Sequence, residues 1–155
     1  NRDQHSFSTQ VTDLDNIQNP SIHSLLSSKY HEAQMYRLNI HAEIPDPVTH
    51  NYLTDLDLAV VLGHLMDNAI HGARKASEGF ISLAYFDEED CQSFIIESTI
   101  ADEQVPLSMM STQTPHPEGG IGVNAVQDIL ERYPNTSFSV RSHNHKMMQI
   151  LEMRP

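Results

Sequence analysis

The stretch Asp55–Ala76, DLDLAVVLGHLMDNAIHGARKA, decides how the rest of the chain is read. Leu58, Leu62, Leu65, Ala69 and Ala73 recur at helical spacing and form an apolar face that can pack on a core. His64, Asp67, Asn68 and His71 follow at spacings of three, four and seven residues, which gathers them on another side. Asp57 interrupts the apolar pattern two turns earlier. A polar stripe on so apolar a helix reads either as the wall of a lined site or as a solvated face. The helix by itself leaves both open.

Length and composition narrow the choice. The 155 residues suffice for one domain with a substantial core, and 39% apolar with 19% charged residues describes a folded globular chain. No apolar run reaches membrane-spanning length and no secretory signal opens the chain. Cys91 is the sole cysteine, which excludes an internal disulfide and a thiolate metal cage and points to a reducing, cytoplasmic setting. The net charge of −12 argues against nucleic acid or an anionic membrane surface as the main partner. A small phosphate ligand remains compatible, because backbone amides and a divalent cation hold phosphate without a basic surface.

Residues 1–15 are polar and weakly periodic, and read as a linker or the frayed end of a preceding element. The abrupt start suggests a fragment of a longer protein, with the domain proper at 16–155. Asn19-Pro20 predicts a capped helix to about Tyr36, and Leu38–Pro45 alternates as a half-buried strand. Thr54 or Asp55 caps the helix quoted above. Phe80 onward and Cys91 onward are two strands joined by Asp87–Asp90. Residues 100–117 form a long irregular loop of the kind that serves as a lid. A glycine-rich turn, Glu118–Val123, leads into a helix from about Asn124, and TSFSVRS with KMMQILEM closes the chain as a hairpin around His143, Asn144 and His145. This order predicts an α+β fold: a two-layer α/β sandwich with a mixed, mostly antiparallel sheet and helices on one face.

Three constellations carry chemistry. The amide oxygen of Asn68 suits a hard cation such as Mg²⁺, with His64 one turn away to meet phosphate or a metal-bound water. Asp67 caps, pairs with Arg74 or binds water. In Gly119-Gly120-Ile121-Gly122 the glycines allow close backbone approach at a helix N-terminus, a setting for phosphate, although a loop-to-helix joint also needs glycine for steric reasons. No lysine follows as in the P-loop. Glu97 ends the apolar run Phe94-Ile95-Ile96 and either points into a cleft or is solvated at a strand end. His143 and His145 could share a Zn²⁺ ion, but a hairpin turn favours two surface histidines.

These motifs, in this order, resemble the ATP-binding catalytic domain of sensor histidine kinases, in the GHKL (Bergerat-fold) ATPase superfamily. LGHLMDNAIHGA (62–73) is similar to the N-box of the agr-like, quorum-sensing branch. NPSIHSLLSSKYHEAQMYRLNIHAEIP resembles that branch's preceding helix and strand, Ser111-Thr112 its lid, and GGIGV its glycine box. The resemblance covers about Ile17 to the C-terminus. It implies ATP and Mg²⁺ as cofactors, with Asn68 the metal ligand and His64 beside it. It also implies that His71, Glu97, Ser111, Thr112, Gly120, Ile121 and Gly122 line the nucleotide site, with Glu97 at the position of the adenine-binding Asp. The implied reaction delivers the ATP γ-phosphoryl to a histidine on a separate dimerisation helix, with a response regulator downstream and a membrane-bound homodimer as the full protein. His5, in RDQHSF, does not resemble the phosphoacceptor motif. Three departures, His71 for Glu, Gln113 for Lys and Gly119 for Arg or His, imply weaker nucleotide affinity or an impaired kinase that serves as a signalling module.

Overall fold

The computed structural model describes residues 13–103 and 120–155. The first helix, α1 (Pro20–Met35), starts where the sequence predicts. The Asn19 side chain accepts from the backbone N–H of Ser21 at 2.9 Å and Ile22 at 3.1 Å. Pro20 occupies the first helical position, where an N–H has no intrahelical partner. Asn19 also donates to Asp55 Oδ1 at 2.9 Å and so joins the starts of two helices. Asn19→Ala is expected to cost about 1 kcal/mol, measured as a lower urea midpoint at unchanged slope.

At its far end α1 closes in a Schellman turn. Leu38 donates to Ala33 O at 3.0 Å and Arg37 to Gln34 O at 2.8 Å, with Arg37 in the left-handed region at φ 62°. The chain then enters β1 (Asn39–Glu43), where Ile40 and Ala42 are buried between exposed neighbours. The long helix α2 (Asp55–Lys75) is capped by Thr54, whose hydroxyl accepts from Asp57 N–H at 3.2 Å. Strands β2 (Phe80–Glu88) and β3 (Cys91–Thr99) form a hairpin with Glu88 opposite Cys91, so Glu89-Asp90 is the turn. Helix α3 (Gly120–Glu131) and strands β4 (Thr136–His143) and β5 (Lys146–Met153) complete the order. Asn144 and His145, at φ 51° and 63°, make the two-residue turn between the last strands.

Helix α3 starts at Gly120 rather than near Asn124. Gly120, Ile121 and Gly122 are therefore its first turn and not a loop ahead of it. Glycine disfavours a helix interior by about 1 kcal/mol, which is why the residues alone predict a turn here. Periodicity alone does not separate a glycine that ends a loop from one that begins a helix.

The sheet order is β1-β2-β3-β5-β4, with β1 parallel to β2 and the remaining pairs antiparallel. Helix α2 makes the crossover between the two parallel strands. One sheet face carries Ile40, Ala42, Ile81, Leu83, Tyr85, Phe94, Ile96 and Leu151, all buried, and the helices cover it with Leu26, Leu58, Leu62, Leu65, Met66 and Ala69. The expected two-layer sandwich, helices on one face of a mixed and mostly antiparallel sheet, is the observed fold. Leu14, inside the stretch expected to be a linker, is buried in the same core.

Candidate functional site

The polar residues of α2 separate into three groups once their neighbours are known. Asp57 is buried and faces the end of α3. Its carboxylate accepts from Tyr133 Oη at 2.5 Å and from Arg132 Nη2 at 3.0 Å. The Tyr133 hydrogen bond holds the carboxyl below its ordinary range. Burial opposes this, and the Arg132 and Thr54 hydrogen bonds reinforce it. Asp57 thus ties the two helices together. Because its folded pKa is depressed, its contribution to stability is present above the unfolded value of 3.8 and is lost as pH falls through the lower folded value. Asp57→Asn is expected to lower Tm at pH 7, and the gap to the parent should close toward pH ~2, checked by thermal scans across that range.

Asp67 belongs to a second group. It pairs with Lys29 of α1 at 2.7 Å. The Lys29 ammonium is held above its ordinary value: burial opposes this, and the Asp67 hydrogen bond and charge outweigh it. Arg74, the partner proposed from the sequence, instead lies over the Tyr36 ring, 3.8 Å from its centroid. Asp67 therefore serves the α1–α2 contact. The i, i+7 spacing was compatible with an Arg74 pair, but α1 packs alongside and brings a closer cation.

His64, Asn68 and His71 form the third group, half-buried to exposed. Asn68 Nδ2 donates to Gln149 Oε1 at 3.3 Å, and Gln149 Nε2 donates to Leu65 O at 2.9 Å. Gln149, only 1% exposed, bridges the interior strand β5 to the middle of α2. With its amide nitrogen committed to Gln149, Asn68 keeps Oδ1 available as an acceptor or a cation ligand. The sequence reading overlooked Gln149. The signal was present, since it occupies the buried side of β5 with Met147, Leu151 and Met153, an apolar series that a glutamine interrupts.

Strand β3 corrects a second reading. Glu97 lies in a row with Ser82, Met148 and Arg141. Side chains alternate across a strand, and Phe94, Ile96 and Ser98 are the buried, helix-facing ones. Glu97 therefore sits on the sheet face turned away from α2, and the structure does not bring it to Asn68. The residue that faces the helix at this strand end is Ser98. It is 0% exposed, and its hydroxyl has no hydrogen-bond partner among the described residues.

Ser98 is one rung beyond Gln149: Ile96 pairs with Gln149, and Ser98 pairs with Met147. Ile100 and Met147, with Val140 packed against them, form a small apolar cluster apart from the main core. Gly72 of α2 brings the helix close to this strand end. A Cβ there would lie 3.0 Å from Ile100 Cγ2 and 3.5 Å from Thr99 O, so a side chain at this position would need the Ile100 side chain to give way.

The segment after β3 is held by the last hairpin. His145 Nδ1 is 3.0 Å from Ala101 O, His145 N–H donates to Glu103 O at 3.1 Å, and Ile100 N–H donates to His145 O at 2.9 Å. His145 thus anchors backbone, whereas His143 ends β4. Among the described residues no group of three or more His, Cys, Asp or Glu side chains could hold a metal ion. Ser111 and Thr112, like Gln113 and Gly119, lie outside the described residues. No helix among the described residues is long and apolar enough to cross a membrane.

The residues present fit a magnesium nucleotide. A buried hydroxyl without a partner among the described residues, an apolar cluster beside it and an oriented amide oxygen are elements of a small-molecule site.

Comparison with known proteins agrees with this fold. The catalytic domain of histidine kinase ThkA superposes with a TM-score of 0.71 at 13% identity, over 86% of this chain and 91% of that one. The Acinetobacter baumannii histidine kinase AdeS gives 0.65 at 15% identity, over 86% of this chain and 62% of that one. The histidine kinase domain of the Erythrobacter litoralis EL346 blue-light activated kinase gives 0.62 at 13%, over 82% and 59%. At these identities the likeness is one of fold. No curated protein matches the sequence. The GHKL domain family model matches residues 53–154, a span that runs from the cap of α2 through β5 and takes in both Asn68 and Gln149. With that match over most of its length, and with the fold of histidine kinase catalytic domains, the chain belongs to the GHKL domain family.

Proposed function

We propose that this chain is the ATP-binding catalytic domain of a bacterial two-component sensor histidine kinase, of the agr-like, quorum-sensing branch. In this reading it delivers the ATP γ-phosphoryl to a histidine on its own separate dimerisation domain, from which a response regulator takes it. The full protein is then a membrane-anchored homodimer with this domain in the cytoplasm. The observation that carries the reading is the Gln149–Asn68 hydrogen bond, which orients a potential cation ligand on the polar face of α2. ATP supplies the phosphoryl group and Mg²⁺ neutralises its charge, so the protein's part is positioning. Asn68 Oδ1 holds the cation, and His64 and His71 stand on the same helix face for phosphate or metal-bound water. Gly120, Ile121 and Gly122, with Ser111 and Thr112, serve the phosphates. Glu97, on the far sheet face, has no role in this scheme.

Titration calorimetry with ATP at millimolar concentration, with and without Mg²⁺, tests the reading. Binding that requires Mg²⁺ is expected; absence of binding would reject it. A second reading is favoured by His71, which stands on the polar face at the position where the family resemblance implies a glutamate. There the domain binds nucleotide but signals without phosphotransfer. Full-length protein that binds ATP and forms no phosphohistidine would select the second reading.

A further inference from the structure

We propose that the free edge of β4, with the groove beside it, takes up an extended segment of a partner protein as a sixth strand of the five-stranded sheet. The segment has apolar side chains at alternate positions and a lysine or arginine at the Glu131 end. The proposal is independent of the nucleotide reading. β4 is the last strand in the order β1-β2-β3-β5-β4, and among the described residues no strand lies beyond it. A cavity of about 280 Å³ is lined by Gln127, Leu130 and Glu131 of α3 and by Thr136, Phe138 and Val140 of β4. It lies below the range of about 300–1,000 Å³ that small-molecule pockets occupy, and is suited to a few side chains. The helix layer stops short of this edge. On β5 Met147, Gln149, Leu151 and Met153 are buried, but their rung partners on the same sheet face, among them Thr136, Phe138 and Val140, are only half-buried.

The backbone at the edge is oriented for pairing. The two-residue turn Asn144-His145 makes His143 and Lys146 the closing pair, which in such a hairpin exchanges both of its hydrogen bonds. Bonded and non-bonded pairs alternate along an antiparallel ladder. Ser137, Ser139 and Arg141 therefore bond to β5, while Phe138 and Val140 aim N–H and C=O at the open edge. The same two residues line the cavity. A strand that pairs with them turns every second side chain into the groove over Leu130. Thr136 N–H donates to Tyr133 O at 3.0 Å, just past the end of α3, so Glu131 stands at the Thr136 end of the groove. Exposed edges are ordinarily blunted by proline, lysine or a bulge. TSFSVRSH has neither proline nor lysine, and its register with β5 is unbroken from Thr136 to His143. Glu131 is exposed at the groove and the chain carries a net charge of −12, which repels a second copy and attracts a cationic segment. Main-chain bonds then supply affinity, and the alternate side chains supply specificity.

The test uses a labelled synthetic peptide of about eight residues, the length of β4, that alternates valine and threonine between two terminal lysines. Binding is read by fluorescence anisotropy and by NMR of the chain's amides. The peptide is expected to bind and to shift the Phe138 and Val140 amides. Glutamate in place of both lysines should weaken it roughly fivefold or more, and Glu131→Lys, an exposed substitution, should reverse that order. N-methylation of the valine amides should weaken binding by at least about tenfold, because those amides face β4. N-methylation of the threonine amides should not, because they face away. Equal effects of the two methylations, or no binding at millimolar peptide, would overturn the proposal. So would an unchanged charge preference in Glu131→Lys. A concentration-dependent dimer in light scattering that shifts the Phe138 and Val140 amides without peptide would assign the edge to a second copy and likewise overturn it.

Discussion

Asn68→Ala is expected to abolish Mg²⁺-dependent nucleotide binding, with affinity down by at least about a hundredfold, or ~2.7 kcal/mol, by titration calorimetry. Asn68 stands at the centre of the polar face of α2, and its amide nitrogen is occupied by Gln149 at 3.3 Å. A hard cation takes oxygen ligands, and few protein groups hold Mg²⁺ in a nucleotide complex, so removal of one leaves little to replace it. Alanine is also the best helix former, and Asn68 is exposed, so the fold should survive. The thermal rise that a nucleotide confers on the parent should disappear in the variant, because stabilisation by a ligand follows its affinity. Asn68→Asp provides the control. It keeps an oxygen for the cation but no longer donates to Gln149 Oε1. Intermediate affinity is expected. Binding by Asn68→Ala within about threefold of the parent, a gap below ~0.7 kcal/mol, would remove Asn68 from the site.

Gln149→Ala is the second large effect, and it acts on stability and binding together. Gln149 is buried on β5 and makes both of its hydrogen bonds to α2, one to the Leu65 carbonyl at 2.9 Å and one from Asn68. Truncation removes both bonds and opens a cavity between sheet and helix. A loss of roughly 2–3 kcal/mol is expected in urea unfolding. Nucleotide affinity should fall by about tenfold or more, as it does when a group that orients a metal ligand is lost. Gln149→Glu separates the two roles. A carboxylate can still accept from Asn68, but only its protonated form can donate to Leu65 O. Burial raises the carboxyl pKa in the folded state, so the variant should be closest to the parent below the unfolded value of about 4.3 and lose stability as pH rises above it. Equal stability of Gln149→Glu at pH 4 and pH 8 would contradict the buried donor role.

Much of this architecture was legible in the residues. The Asn19 cap with Pro20, the alternation in β1 and the hairpin of β2 with β3 are local features, determined by capping geometry, strand period and turn chemistry. The polar stripe of α2 was legible for the same reason, because helical spacing is a property of sequence. Its division was not. Asp57, Asp67 and Asn68 are all polar breaks in one apolar helix, yet one meets Tyr133 of the chain following α3, one meets Lys29 of α1, and one meets Gln149 of β5. Those partners are 38 to 81 residues distant, and no local rule selects among them.

Strand parity lies between these cases. Phe94-Ile95-Ile96 is a continuous apolar run, so the residues alone do not say whether Glu97 or Ser98 faces the helices. What only tertiary packing decided is that the Ser98 hydroxyl is enclosed without a partner among the described residues while Asn68 is held by Gln149 one rung away. The sequence by itself determined the elements, because hydrogen bonds within helices and turns are local. The assignment of each polar side chain to core tie or candidate site was made by the packing of α1, α3 and β5 around α2, because a side chain's partner depends on which distant surface is brought against it.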